Sequence, residues 1–217
     1  MIYAVSDIHG CYDKYQELLK KIRFGPDDTL YVLGDVIDRG PDGFKILLDM
    51  AQRPNVVNLM GNHEAMAINA LPRILNAVEE NGEVILSGDD AEAVELWFLN
   101  GGELSLADFL WLDNEQAQTV WDYMCNMPLY KEVEAGGQQF VLVHGGLEGF
   151  SPSRPLADYT PNEILWCRPE EDTSACLCPR RFVRDWMLPR SSSGFPGGIT
   201  PSLWITARAF AHLARPS

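Results

Sequence analysis

Three times within its first 80 residues the chain repeats one pattern: a short apolar run, a polar loop containing glycine, then a stretch with helical spacing. Residues 2–5 enter Ser6-Asp7-Ile8-His9-Gly10, after which Tyr15, Leu18, Leu19 and Ile22 recur at intervals of three and four. Residues 30–33 empty into the acid- and glycine-rich loop 34–43, and Phe44, Leu47, Leu48 and Ala51 mark a second helix that stops before Pro54. Residues 56–60 form the third run, with Gly61-Asn62-His63-Glu64 at its carboxyl end. This repeat predicts a largely parallel sheet, because right-handed crossovers bring every strand's carboxyl end to one edge. The polar loops gather there.

The rest of the chain reads differently. Helical spacing over residues 65–80, 91–100, 104–110 and 115–127 predicts a helical insertion spanning 65–130, with breaks at Gly82 and Gly101-Gly102. Sheet character returns at residues 131–134 and 140–143, joined across Gly136-Gly137 as a hairpin whose second strand delivers His144-Gly145-Gly146. With 217 residues, 46% of them hydrophobic and 22% charged, the chain has the composition of a globular protein with a sizeable core. Collagen-like, disulfide-framework and disordered classes are excluded.

Charge narrows the function classes further. A formal net charge of −14 offers no basic footprint for passive binding to nucleic acid or an anionic membrane. It is also uneven: residues 1–179 hold 30 acidic and 11 basic residues, whereas residues 180–217 hold six arginines, no lysine and a single acid, Asp185. We therefore divide the chain into a body, 1–179, and an atypical C-terminal tail, 180–217. Cys11, Cys125, Cys167, Cys176 and Cys178 form no CxxC pair, and their odd number in a chain of this size predicts reduced thiols. Residues 1–5 are too short for a signal h-region, and the charge-free run 191–207 contains Pro196 and Pro201, so a cytoplasmic protein without a membrane span is expected.

The predicted strand ends deliver Asp7 and His9, then Asp35, Asp38 and Arg39, then Asn62 and His63, and finally His144. Carboxylate with imidazole suits manganese, iron or zinc, whereas calcium would take oxygen alone. An aspartate after the middle strand is placed to bridge two ions, and a pair of ions is suited to hydrolysing a phosphate ester.

Asp7-Ile8-His9-Gly10, Gly34-Asp35-Val36-Ile37-Asp38-Arg39-Gly40, Gly61-Asn62-His63-Glu64 and His144-Gly145-Gly146 resemble, in order, the signatures of the PPP-type serine/threonine protein phosphatases. These belong to the calcineurin-like metallophosphoesterase superfamily, and the chain is most similar to its compact bacterial and phage members over about residues 1–170. The resemblance implies an α/β fold, an α/β/β/α sandwich of two sheets with the helical insertion between them in sequence. It implies two divalent ions, manganese first, with Asp7 and His9 on one, Asn62 and His144 on the other, and Asp35 bridging. His63 would be the general acid, oriented by Asp38, and Arg39 and Arg168 would bind the phosphate. The implied partner is a phosphorylated protein, phosphotyrosine included, acted on by a monomer.

Two relatives of that activity compete. A diadenosine polyphosphate hydrolase shares the scaffold, but Asp38 and Glu64 favour the protein phosphatase, since that relative tends to differ at both positions. A phosphoprotein-binding pseudophosphatase is the other, because the family's last metal-ligand histidine, in a Gly-His-Thr motif, has no counterpart. The nearest match is Gly198-Ile199-Thr200-Pro201, and the remaining histidine, His212, sits in a different setting. The expectations are incomplete C-terminal strands, weak or no phosphatase activity and poor solubility.

Overall fold

A computed structural model describes residues 1–167 and the backbone of 181–183. Strands β1 (Ile2–Val5), β2 (Thr29–Val32) and β3 (Val56–Asn58) form one parallel sheet in the order β1-β2-β3, with Val5 opposite Val32 and Leu30 opposite Val56. Helices α1 (Tyr12–Ile22) and α2 (Gly43–Ala51) make the crossovers. The third strand is two residues shorter than its apolar run, and α3 (Asn62–Asn76) starts earlier than the spacing predicts. The cause is Glu64 in the helix's first turn, whose carboxylate accepts the Gly61 N–H at 2.9 Å. Asn62 and His63 thus stand on a helix rather than on a loop.

The insertion continues with α4 (Asp89–Leu99), α5 (Gly102–Phe109) and α6 (Asn114–Cys125). Helical spacing up to residue 80 overshoots: α3 ends at Asn76, and Val78 instead bridges antiparallel to Val84. The second sheet pairs β4 (Tyr130–Ala135) antiparallel with β5 (Gln138–Val143), followed by the short helix α7 (Pro161–Leu165). Strand β6 (Arg181–Val183) lies parallel to β5 and beyond the boundary drawn at 179, so the far edge of β5 is paired over three residues. The rest of the tail, with Cys176, Cys178 and His212, lies outside the described residues.

Alternation along the strands builds the layers, since successive side chains point to opposite faces. Tyr3 and Val5 pack toward α1–α4, whereas Ala4 joins Leu33, Leu59, Phe140 and Leu142 between the sheets. On the far face of β5, Val141 and Val143 pack against Leu147, Tyr159 and Ile164. Each such fully buried aliphatic or aromatic side chain contributes about 1.5–3 kcal/mol. The result is helix, sheet, sheet, helix. No helix among the described residues is long and apolar enough to cross a membrane.

Candidate metal centre

Beyond β1 and β2 the backbone turns sharply. Among the described residues six non-glycine residues have positive φ, and five are Asp7, His9, Asp35, Asp38 and Arg39. Each such conformation costs about 1–3 kcal/mol and persists only where surroundings enforce it. Here the two loops are tied together: the N–H groups of Asp7, His9 and Gly10 donate to the carbonyls of Gly34, Asp35 and Val36 at 3.2, 3.0 and 2.7 Å. The third loop joins them closely. A Cβ on Gly61 would lie 2.2 Å from Asp35 Oδ1, so only glycine lets α3 start against that carboxylate.

Asp35 is the centre of the cluster. One oxygen, Oδ2, lies 3.8 Å from His9 Nε2 and 3.8 Å from His63 Nε2, while the other, Oδ1, lies 3.5 Å from His144 Nε2. Asp7 Oδ1 stands 3.8 Å from His9 Nε2, and Ser6 donates its hydroxyl to the other Asp7 oxygen. Asn62 Oδ1 is 2.9 Å from His144 Nε2. Burial opposes ionisation of Asp35, yet the three imidazoles around it hold its pKa below the usual carboxylate range.

Hydrogen bonds select the tautomers. His9 Nδ1 donates to the Ile37 carbonyl at 2.9 Å and His144 Nδ1 to the Leu33 carbonyl at 2.6 Å, which leaves both Nε2 atoms on the side of the cluster around Asp35. The donor set therefore fits a divalent cation: Asp7, His9 and Asp35 converge on one side, and Asp35, Asn62 and His144 on the other. Ligand atoms of His9, Asp35 and His63 also lie within 4.8 Å of one another. His63 differs in having its second nitrogen committed, since Nδ1 donates to Asp38 at 2.7 Å. Burial lowers the His63 pKa, but the Asp38 hydrogen bond and the charge of Asp35 outweigh it and hold the imidazole above its ordinary value. For His9 burial wins, and its pKa is lowered.

Arg39 lies across the cluster, donating from Nη1 to His9 Nε2 and from Nη2 to His63 Nε2, each at 3.0 Å. Its guanidinium thus links His9 of the donor set to His63. The structure brings together Asp7, His9, Asp35, Asp38, Arg39, Asn62, His63 and His144 from four separate segments; Arg168 and Gly198-Ile199-Thr200-Pro201 lie outside the described residues.

Three further residues are part of the site's frame. The buried Glu64 carboxylate accepts the N–H groups of Asp35, Val36, Ile37 and Gly61 at 2.7–3.3 Å, pinning the bridging aspartate's loop to α3. Desolvation first, and Asp35 second, raise its pKa. Trp97 Nε1 reaches both oxygens of Asp38 at 3.0 Å, and Ser105 Oγ accepts the Asp38 N–H at 2.8 Å. A glutamate three residues past Gly61 carries a local capping signal. Nothing near Trp97 or Ser105 in sequence announces a partner 59 or 67 positions away.

Residues 1–186 match the family model described as calcineurin-like phosphoesterase. A symmetrical bis(5'-nucleosyl)-tetraphosphatase of Glaesserella parasuis is 30% identical over 92% of this chain and 76% of its own length. Serine/threonine-protein phosphatase 2 of Salmonella typhimurium is 29% identical over 98% of this chain and 79% of its own. Against three other tetraphosphatases the matched region spans 34%, 58% and 50% of the relative. Among solved structures, a candidate diadenosine tetraphosphatase superposes with a TM-score of 0.51 at 21% identity, over 76% of this chain and 57% of that one, a likeness of fold.

Proposed function

The chain belongs to the calcineurin-like phosphoesterase family, and on that premise we propose that it hydrolyses phosphate monoesters on serine and threonine side chains of proteins. The observation that carries this reading is the His63–Asp38 pair at 2.7 Å. A serine alkoxide is a poor leaving group and needs a proton as the bond breaks, whereas the phosphate released from a polyphosphate anhydride leaves without one. A histidine whose pKa is raised by a buried carboxylate is suited to the first task.

Asp7, His9, Asp35, Asn62 and His144 would hold two divalent ions, with manganese, iron and zinc all compatible with the donors. When bound, such ions lower the pKa of a water and neutralise charge on a phosphoryl group. The chain's own residues do the rest. A protonated His63 donates from Nδ1 to Asp38 and presents Nε2–H to the leaving oxygen. That proton displaces the Arg39 Nη2 donor from the same nitrogen, and the released guanidinium fork is matched to two phosphate oxygens. Arg168 is assigned the same task from the family pattern.

The reading extends to a monomer acting on phosphoproteins in the cytoplasm, with phosphotyrosine as a further substrate. Tetraphosphatase relatives favour a second reading, hydrolysis of diadenosine tetraphosphate. Comparing kcat/KM on a phosphoserine peptide and on diadenosine tetraphosphate, with manganese added, separates the two. A preference for the dinucleotide overturns the proposal, and one bound ion or none, without turnover of either substrate, supports a phosphoprotein binder instead.

A further inference from the structure

Residues 74–130 contain twelve aspartates and glutamates and no lysine, arginine or histidine. Most of the chain's negative excess therefore sits on the insertion that supplies Trp97 and Ser105 to Asp38. On its surface Leu86, Ala91, Val94, Phe98 and Leu99 line an open groove of about 400 Å3, whose other walls are Glu95 and Glu103. Leu99 is 78% exposed, and the neighbouring Val84 and Ile85 are 47% and 64% exposed. The groove shares α4 with Trp97, and just beyond that helix the Gly101 carbonyl accepts the Arg39 N–H at 3.1 Å.

We propose that this groove docks a segment of the phosphoprotein substrate in which a leucine-sized apolar side chain is flanked by lysine or arginine, an inference that rests on the phosphoprotein reading above. Apolar lining selects the apolar residue, and burying it removes surface such as Leu99 from water. Glu95 on α4 and Glu103 on α5 select the flanking cations. Asp89 and Glu92 extend the same field, while Asp90 is already paired with Arg73. Such a field concentrates cationic segments and repels polyanions. A second copy of this chain would set like-charged insertions against each other, which disfavours self-association through this face.

The test is fluorescence anisotropy with the full chain and labelled, unphosphorylated peptides: one with leucine flanked by arginines, one with the arginines replaced by glutamates, and one with the leucine replaced by serine. The first peptide should bind, with the other two, the Glu95→Lys/Glu103→Lys variant and Leu99→Ser each weakening binding about tenfold or more. A charge-matched reversal on α1, Asp13→Lys/Glu17→Lys, should stay within about twofold. Equal affinity for all three peptides, wild-type binding by the groove variants, or a dimer that Leu99→Ser converts to monomer in light scattering overturns the proposal. These peptides carry no phosphate and binding is the readout. Failure of phosphoserine hydrolysis would therefore be seen separately, and an empty groove would leave that hydrolysis standing.

Discussion

Trp97 donates its indole N–H to the Asp38 carboxylate, with both oxygens at 3.0 Å, and both side chains are fully buried. The insertion therefore does more than flank the site: it holds the carboxylate that orients His63. Gly102 makes room for this, since a Cβ there would lie 2.5 Å from the indole ring.

Trp97→Phe keeps most of the packing and deletes one hydrogen bond to a charged group. We expect a stability loss of about 1.5–3 kcal/mol and a kcat on phosphoserine peptides reduced about tenfold. Thermal melts and steady-state kinetics check both. Unchanged kcat in a destabilised protein would reduce Trp97 to a packing role.

Asp38→Asn removes the charge that raises the His63 pKa. Because that pKa is raised in the native enzyme, the protonated acid persists to higher pH, and the variant's activity should fade at lower pH than the wild type's. The loss should reach about 10²-fold on phosphoserine and be smaller on p-nitrophenyl phosphate, whose leaving group needs little protonation. Equal losses on the two substrates would argue against His63 as the acid.

Glu64→Gln leaves the side-chain shape but halves the acceptors offered to four N–H groups. Loosening the Asp35 loop should weaken manganese binding about 10–100-fold, measured by calorimetry. Glu64→Asp, which retains the charge but shortens the reach, should fall between.

Asp49 sets a pH limit on stability. Burial works against its ionisation, but Arg53, bonded at 2.7 and 2.9 Å, and the Tyr15 hydroxyl at 2.9 Å lower its pKa. A carboxylate depressed in the folded state contributes its stabilisation above the unfolded value, near 3.9, and loses it as pH falls through the folded one. Asp49→Asn should accordingly be less stable than wild type at neutral pH, with the difference shrinking in acid. Chemical denaturation from pH 7 down to pH 3 measures this, and a constant difference would remove the pairing as its cause.

The elements and the chemistry they carry are legible in local stretches of the chain. Apolar runs of four residues followed by helical spacing are local patterns, and the parallel order of β1, β2 and β3 follows from crossover handedness. The residue types Asp7, His9, Asp35, Asn62, His63 and His144 were readable because each follows a strand, where side chains are presented at the sheet edge. The start of α3 at Asn62 is not legible in the apolar spacing, because Glu64 caps through a backbone group that such spacing does not register. How those residues are held depends on the packed fold. The left-handed backbone at Asp7, His9, Asp35, Asp38 and Arg39 depends on cross-loop hydrogen bonds. The grip of Trp97 and Ser105 on Asp38 spans 59 and 67 positions. Contacts of that separation leave no period in the chain, so they exist only once the insertion has packed against the sheet.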